Sequence, residues 1–270
     1  SAGGGAGGMR FSTYGPAPLN GAKIVVQAGT TYPVAVGAGG AKGVYPGTCS
    51  TKGTESSFNP SGTDMTDSIT SAGGGTSAAA PLRVGGSGSN GAGWCALSGA
   101  AGNTPPTNPS QGNPGGDSSN VANPGTAGAG GGGGASAAGY TGGSMNPNGG
   151  TGGAGVANNI SGSSVTYAGG GGSGNDNRGY SSQAGSGGPG GGGGAGAAGT
   201  TNTGGGGGGG MFGGPAYPGG IGGPGRVEIR VPADVAPLVT VAPGTNTYAS
   251  AAGDGSRLAT FTISGTLAIA

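Results

Sequence analysis

The sequence predicts a mainly non-α fold: packed polyglycine-II-type helices in a glycine sandwich, β-hairpins on its N-terminal side and a small β appendage at the C-terminus. Three observations predict it. The first is composition. The 270 residues include 78 glycines and 19 prolines, while only 5% are aromatic and 6% charged, far from the usage of an ordinary globule. The second is the stretch 185–225, which contains the unbroken glycine run 204–210. Glycine costs about 1 kcal/mol per residue relative to alanine inside an α-helix, and it offers a strand no side chain to pack. A flexible tether remains, or extended three-residue-per-turn helices whose bare backbones approach closely and satisfy one another laterally. Pro215, Pro218, Ile221 and Pro224 recur every third residue, which places them on one edge of such a helix. The third observation is that β-branched runs lie outside the tracts, toward both ends of the chain.

Taken in order, residues 1–8 form a first glycine tract. Residues 23–27 and 31–36 are β-branched-rich runs separated by Ala28, Gly29 and Thr30, the pattern of a tight hairpin. Glycines in 37–40 then lead into irregular chain, with Phe58 the expected anchor of the polar loop 44–70. Residues 103–123 are rich in Pro, Asn and Asp and read as turns. Between 128 and 225 nearly half of the residues are glycine. There the tracts alternate with unlike inserts at 140–148, 156–168, 175–184, 200–203 and 211–217. Residues 226–231 alternate with a period of two and read as a strand; 238–242, 258–263 and, more weakly, 266–270 are further strands. The expected division is a glycine-rich body with inserted loops at 1–231 and a β appendage at 232–270, a segment for docking or oligomerisation. No convincing amphipathic α-helix is present.

Several functions are excluded or disfavoured. Irregular glycine spacing rules out collagen. The formal charge is +1 with no basic run, which disfavours binding nucleic acid or anionic membrane through a charged patch. No stretch is long and apolar enough to span a bilayer as a helix. There is no histidine among the residues, so acid–base chemistry would rest on eight carboxylates. Asp64 and Asp67 read as a solvated turn. Asn175, Asp176 and Asn177 lack the spacing and terminal glutamate of a calcium loop. Matches to GxGxxG within the tracts have no βαβ context. An enzyme is therefore not expected, nor a cofactor or a metal. Cys49 and Cys95 are the only cysteines. They could form one disulfide closing a long loop, or remain two thiols acting as small buried hydrophobes. Without histidine they make no zinc site.

The inserts carry most of the aromatic and sulfur side chains of the second half. Tyr140, Met145, Tyr167, Arg178, Tyr180, Met211, Phe212 and Tyr217 are the candidate receptor-binding residues. Tyrosine gives a large contact area at small cost in rotamer entropy. The competing role for any one of them is to cap the edges of the glycine body, and Trp94 reads as packing.

Residues 28–40 (AGTTYPVAVGAGG), the ESSF element at 55–58 and the exit GGPGRVEIRV at 222–231 together resemble the glycine-rich domain of bacteriophage tail and tail-fibre proteins. The tracts with unlike inserts between them are similar to the tip adhesins of long tail fibres. That resemblance covers 1–231. It implies an extracellular virion protein that recognises a bacterial surface structure, either an outer-membrane protein or a glycan, through loops between stacked polyglycine helices. It also implies other fibre or tail proteins as partners. The rival expectations are a purely structural fibre, capsid-decoration or matrix protein and, more remotely, an ice-binding protein.

Overall fold

The computed structural model describes residues 1–17, 19–43, 50–61, 68–76, 98–119, 128–143, 148–175, 183–211, 218–251 and 254–270. Its regular structure is antiparallel β-sheet, with one 3₁₀ turn at Ala236–Leu238. In chain order the strands are β1 (Thr30–Ala35), β2 (Ser56–Phe58), β3 (Ile69–Ser71), β4 (Val156–Asn158), β5 (Val165–Tyr167), β6 (Val227–Val231), β7 (Val239–Ala242), β8 (Thr247–Ser250), β9 (Arg257–Phe261) and β10 (Gly265–Ile269). They form a five-stranded sheet β3-β2-β1-β10-β7, a three-stranded sheet β6-β9-β8 and the isolated pair β4-β5.

Alternation decides which sheet faces meet. Tyr32 and Val34 of β1, Phe58 of β2, Val239 of β7 and Leu267 and Ile269 of β10 are buried on one side of the large sheet. Val231, Ala259 and Phe261 meet them from the small one, as the two-residue period of strands requires. Tyr32 and Phe58 stack with ring centroids 5.4 Å apart. A second, smaller apolar cluster joins Ala6, Phe11, Ala135, Val156 and Ala168.

The glycine tracts lie against this sandwich as extended chain outside any helix or strand. Their N–H groups are satisfied by carbonyls of other tracts. Gly132 donates to Gly171 O at 2.8 Å, Gly171 to Gly4 O at 2.9 Å, and Gly4 to Gly207 O at 2.8 Å. Gly153 donates to Gly132 O, Gly170 to Gly153 O and Gly188 to Gly170 O, each at 2.8 Å. At Gly132 the approach is so close that a Cβ would lie 2.0 Å from the Gly4 carbonyl oxygen. Only glycine fits there.

The fold expectation is corrected on three points. Packed polyglycine-II-type helices are not among the described elements; every regular element longer than the single 3₁₀ turn is an antiparallel strand, because the segments with side chains to bury lie outside the tracts. The hairpin between 23–27 and 31–36 is absent. Both edges of β1 are already occupied, by β10 in the register Thr30↔Ile269 to Val34↔Gly265 and by β2, so residues 23–27 have no edge to join. The end of the chain is also not a separate β appendage. β10 is an inner strand of the large sheet beside β1, and β9 pairs with β6 from Val227↔Phe261 to Val231↔Arg257. The strands read at 31–36, 226–231, 238–242, 258–263 and 266–270 are present within one or two residues of those bounds.

Candidate functional site

Of the eight candidate binding residues, Tyr140, Tyr167 and Met211 are described. Met145, Arg178, Tyr180, Phe212 and Tyr217 lie outside the described residues, as do Cys49, Cys95, Trp94, Asp64, Asp67, Asp176 and Asn177. Tyr140 projects into solvent with 64% of its surface exposed. Its backbone is fixed on both sides: its N–H donates to Thr151 O and its carbonyl accepts from Gly131 N–H, both at 2.9 Å. The glycine body therefore presents this ring from a position its own hydrogen bonds hold. Met211 is half-buried at the end of the 204–210 tract.

Tyr167 is different. It ends β5, is 7% exposed, and has the Arg226 guanidinium 5.9 Å from its ring centroid. Burial raises its phenol pKa; the Glu228 charge adds to this and Arg226 opposes it. The ring fills an internal space, so Tyr167 leaves the set of exposed binding residues. The insert 156–168 is a hairpin in which Val156 pairs with Tyr167 across β4 and β5; its ends are buried and its tip at 162–165 is exposed.

The structure also brings together a cluster that was not singled out in the sequence. Arg226, Glu228 and Arg230 alternate along β6 and share one face. Arg226 Nη2 lies 2.5 Å from Glu228 Oε1, and the Glu228 side chain is 9% exposed. Arg230 Nη2 meets Asp254 Oδ2 at 2.8 Å, its Nε–H donates to Ser256 Oγ at 2.9 Å, and Nη1 donates to Ile160 O at 3.2 Å. The Arg230 guanidinium also stands 5.4 Å from the ring centroid of Tyr14. Asp254 is held at a pKa of about 2 by hydrogen bonds from the Ser256 hydroxyl and N–H, with Arg230 contributing. Two-residue charge alternation at 226–230 was the sequence signal for this cluster, but nothing local placed tyrosines 14 and 167 beside it.

Arg226 and every residue of β6 line a cavity of about 580 Å³, bounded elsewhere by the glycine body at Gly4 and Gly205, by Phe58 and Ile69, and by Ile24 and Val26. Among the described residues β6 is an edge strand, hydrogen-bonded to β9 alone. Among the described residues 22–26 make no backbone hydrogen bond; the next N–H, of Gln27, donates to the Tyr32 hydroxyl at 2.6 Å. Val25 is 62% exposed. Among the described residues no three His, Cys, Asp or Glu side chains gather as a metal site.

Sheet pairing, glycine lattice and the β6 exit strand thus define a glycine-rich β protein. The family model for the glycine-rich domain matches residues 1–232, and the chain belongs to that family. No curated protein and no solved structure matches it.

Proposed function

We propose that the protein is a non-enzymatic receptor-binding adhesin of a bacteriophage virion, of the tail-fibre type. It acts outside the cell and recognises a bacterial surface structure through side chains presented between glycine tracts. The observation that carries this reading is Tyr140: an exposed aromatic side chain on a backbone whose N–H and C=O are both bonded to neighbouring tracts. A preorganised contact loses less entropy on binding than one on a mobile loop, and several copies per particle raise weak single contacts to useful avidity. The assignment to a virion rests on the resemblance of 28–40, 55–58 and 222–231 to tail-fibre proteins.

The test is binding of labelled full-length chain to a panel of bacterial strains, beside Tyr140→Ser and Tyr167→Ser. Strain-selective binding is expected for the parent. Tyr140→Ser should weaken it at least about tenfold, a loss of about 1.4 kcal/mol, with an unchanged melting temperature. Tyr167→Ser should lower the melting temperature instead. Equal binding by the parent and Tyr140→Ser would remove the site, and no binding of the parent to any strain would favour a purely structural fibre component.

A further inference from the structure

We propose that the cavity beside β6 is the docking site of an extended acidic peptide strand, supplied by a partner protein, which adds to the open edge of β6. This goes beyond the host-binding reading and does not depend on it.

The first argument is backbone accounting. Backbone N–H and C=O groups are strong hydrogen-bonding groups, and a half-covered strand edge is a template for another strand. Among the described residues β6 is paired on one side only, and it lines a cavity. Across that cavity, 22–26 is a β-branched extended segment that also makes no backbone hydrogen bond among the described residues. Ile24 and Val26 line the same space. An open strand edge and a segment without backbone hydrogen bonds among the described residues therefore line one cavity, which suits strand addition.

Size and pattern agree. A strand occupies about 4.8 Å by 10 Å in cross-section and about 3.4 Å per residue, so 580 Å³ takes between about three and four residues. Alternate side chains of the incoming strand face opposite ways. One set meets Val227, Ile229 and Val231, which pack with the apolar core. The other set meets Arg226, Glu228 and Arg230.

Charge selects the class of peptide. Arg10, Lys23, Arg226 and Arg230 line the cavity against Glu228, its one carboxylate among the described residues. The Arg226 Nε–H is buried and has no hydrogen-bond partner among the described residues, an orphaned donor that a carboxylate on the incoming strand satisfies. A strand alternating apolar and acidic residues fits both faces. A saccharide would use the charges but leave the backbone edges unpaired, so the peptide is the better occupant.

The experiment uses the full chain and a capped, fluorescein-labelled hexapeptide alternating valine with aspartate, read by anisotropy. A second peptide carries N-methyl groups on alternate amides, which blocks edge pairing while keeping every side chain. A third has lysine in place of aspartate. The aspartate peptide should bind, and the other two should bind at least about tenfold more weakly. Amide exchange at 227–231 should slow on binding. Arg226→Glu should weaken the aspartate peptide about fivefold at low salt, less at high salt. If that variant fails to fold, the N-methylated peptide still decides. No binding of the aspartate peptide at millimolar concentration, or equal binding of the N-methylated one, would overturn the proposal. So would displacement by oligogalacturonate with no change at the 227–231 amides, which makes the cavity a saccharide site. Concentration-dependent dimerisation that protects 227–231 without peptide would instead assign the edge to a second copy.

Discussion

The glycine lattice and the β-sandwich are held together by opposite means. In the lattice, tracts such as 128–134, 149–153 and 169–174 carry almost no side chains and are joined by backbone hydrogen bonds near 2.8 Å. In the sandwich, Phe261, Leu267, Val34 and their neighbours exclude water, and Phe261 is fully buried. Each hydrogen bond contributes only about 1 kcal/mol net, so the lattice depends on many of them being made at once. That requires backbones to approach at distances no Cβ tolerates. A sandwich tolerates reshuffled apolar volume, whereas the lattice tolerates no added volume at its closest approaches, as at Gly132, Gly153 and Gly170. The two regions should therefore fail under different kinds of mutation.

The sharpest way to break the comparison is Gly132→Ala. Its new methyl would sit 2.0 Å from Gly4 O, inside a chain of hydrogen bonds that has no flexible side chain to yield. We expect a loss above about 4 kcal/mol in denaturant unfolding, or no folded protein. Gly244→Ala, with nothing within 4 Å, is the control and should change stability by less than about 1 kcal/mol. If the two behave alike, close packing is not what holds the tracts.

Phe261→Ala tests the other half. Removing a fully buried phenylalanine should cost about 3–5 kcal/mol, read as a lower urea midpoint. The lattice should respond only through its shared boundary with the sandwich. Loss of protection in the sandwich amides before those of 132, 153 and 171 would sharpen the division; simultaneous loss would show one cooperative unit.

The smallest expected effect lies in the electrostatics of the sandwich. The Asp254 carboxyl has its pKa depressed from 3.8 to about 2. Its ionised form is favoured in the folded state, so its contribution is complete above the unfolded value near 4 and is lost as pH falls toward 2. Asp254→Asn should flatten the fall in melting temperature over that window and leave the behaviour above pH 5 unchanged in slope. An identical acid profile in both proteins would show that Asp254 makes no net contribution, as exposed pairs often do.

Legibility in the sequence followed the same divide. β1, β6, β7, β9 and β10 were visible because β-branched and other apolar residues gather over four to six positions between turn residues. β4 and β5 were not, since three residues in a glycine background leave no period to detect. β8 was missed as well, its TYAS offering one aromatic among small residues. The tracts were read as helices from composition, yet composition fixes which backbones can approach and not which partners they choose. The hairpin at 23–36 failed for a non-local reason: β10, more than two hundred residues away, takes the edge that local pattern assigned to 23–27. The site was legible in part. Tyr140 was singled out from its insert and is exposed; Tyr167 was singled out by the same logic and is buried, because it pairs with Val156 at the base of its hairpin. The β6 cavity was invisible, as it depends on an open strand edge facing a segment left without a partner.

The pairing of Thr30 with Ile269 also sets a clock. Ribosomes add about 5–20 residues per second, so β1 waits on the order of ten to fifty seconds for its neighbour β10 to be made. During that interval the edge that β10 will occupy, including Tyr32 and Val34, stays open to any other extended chain. Folding of this sandwich then waits for β10 to be made and carries a high contact order, and a nascent-chain chaperone or a crowded polysome has its longest opportunity at this strand.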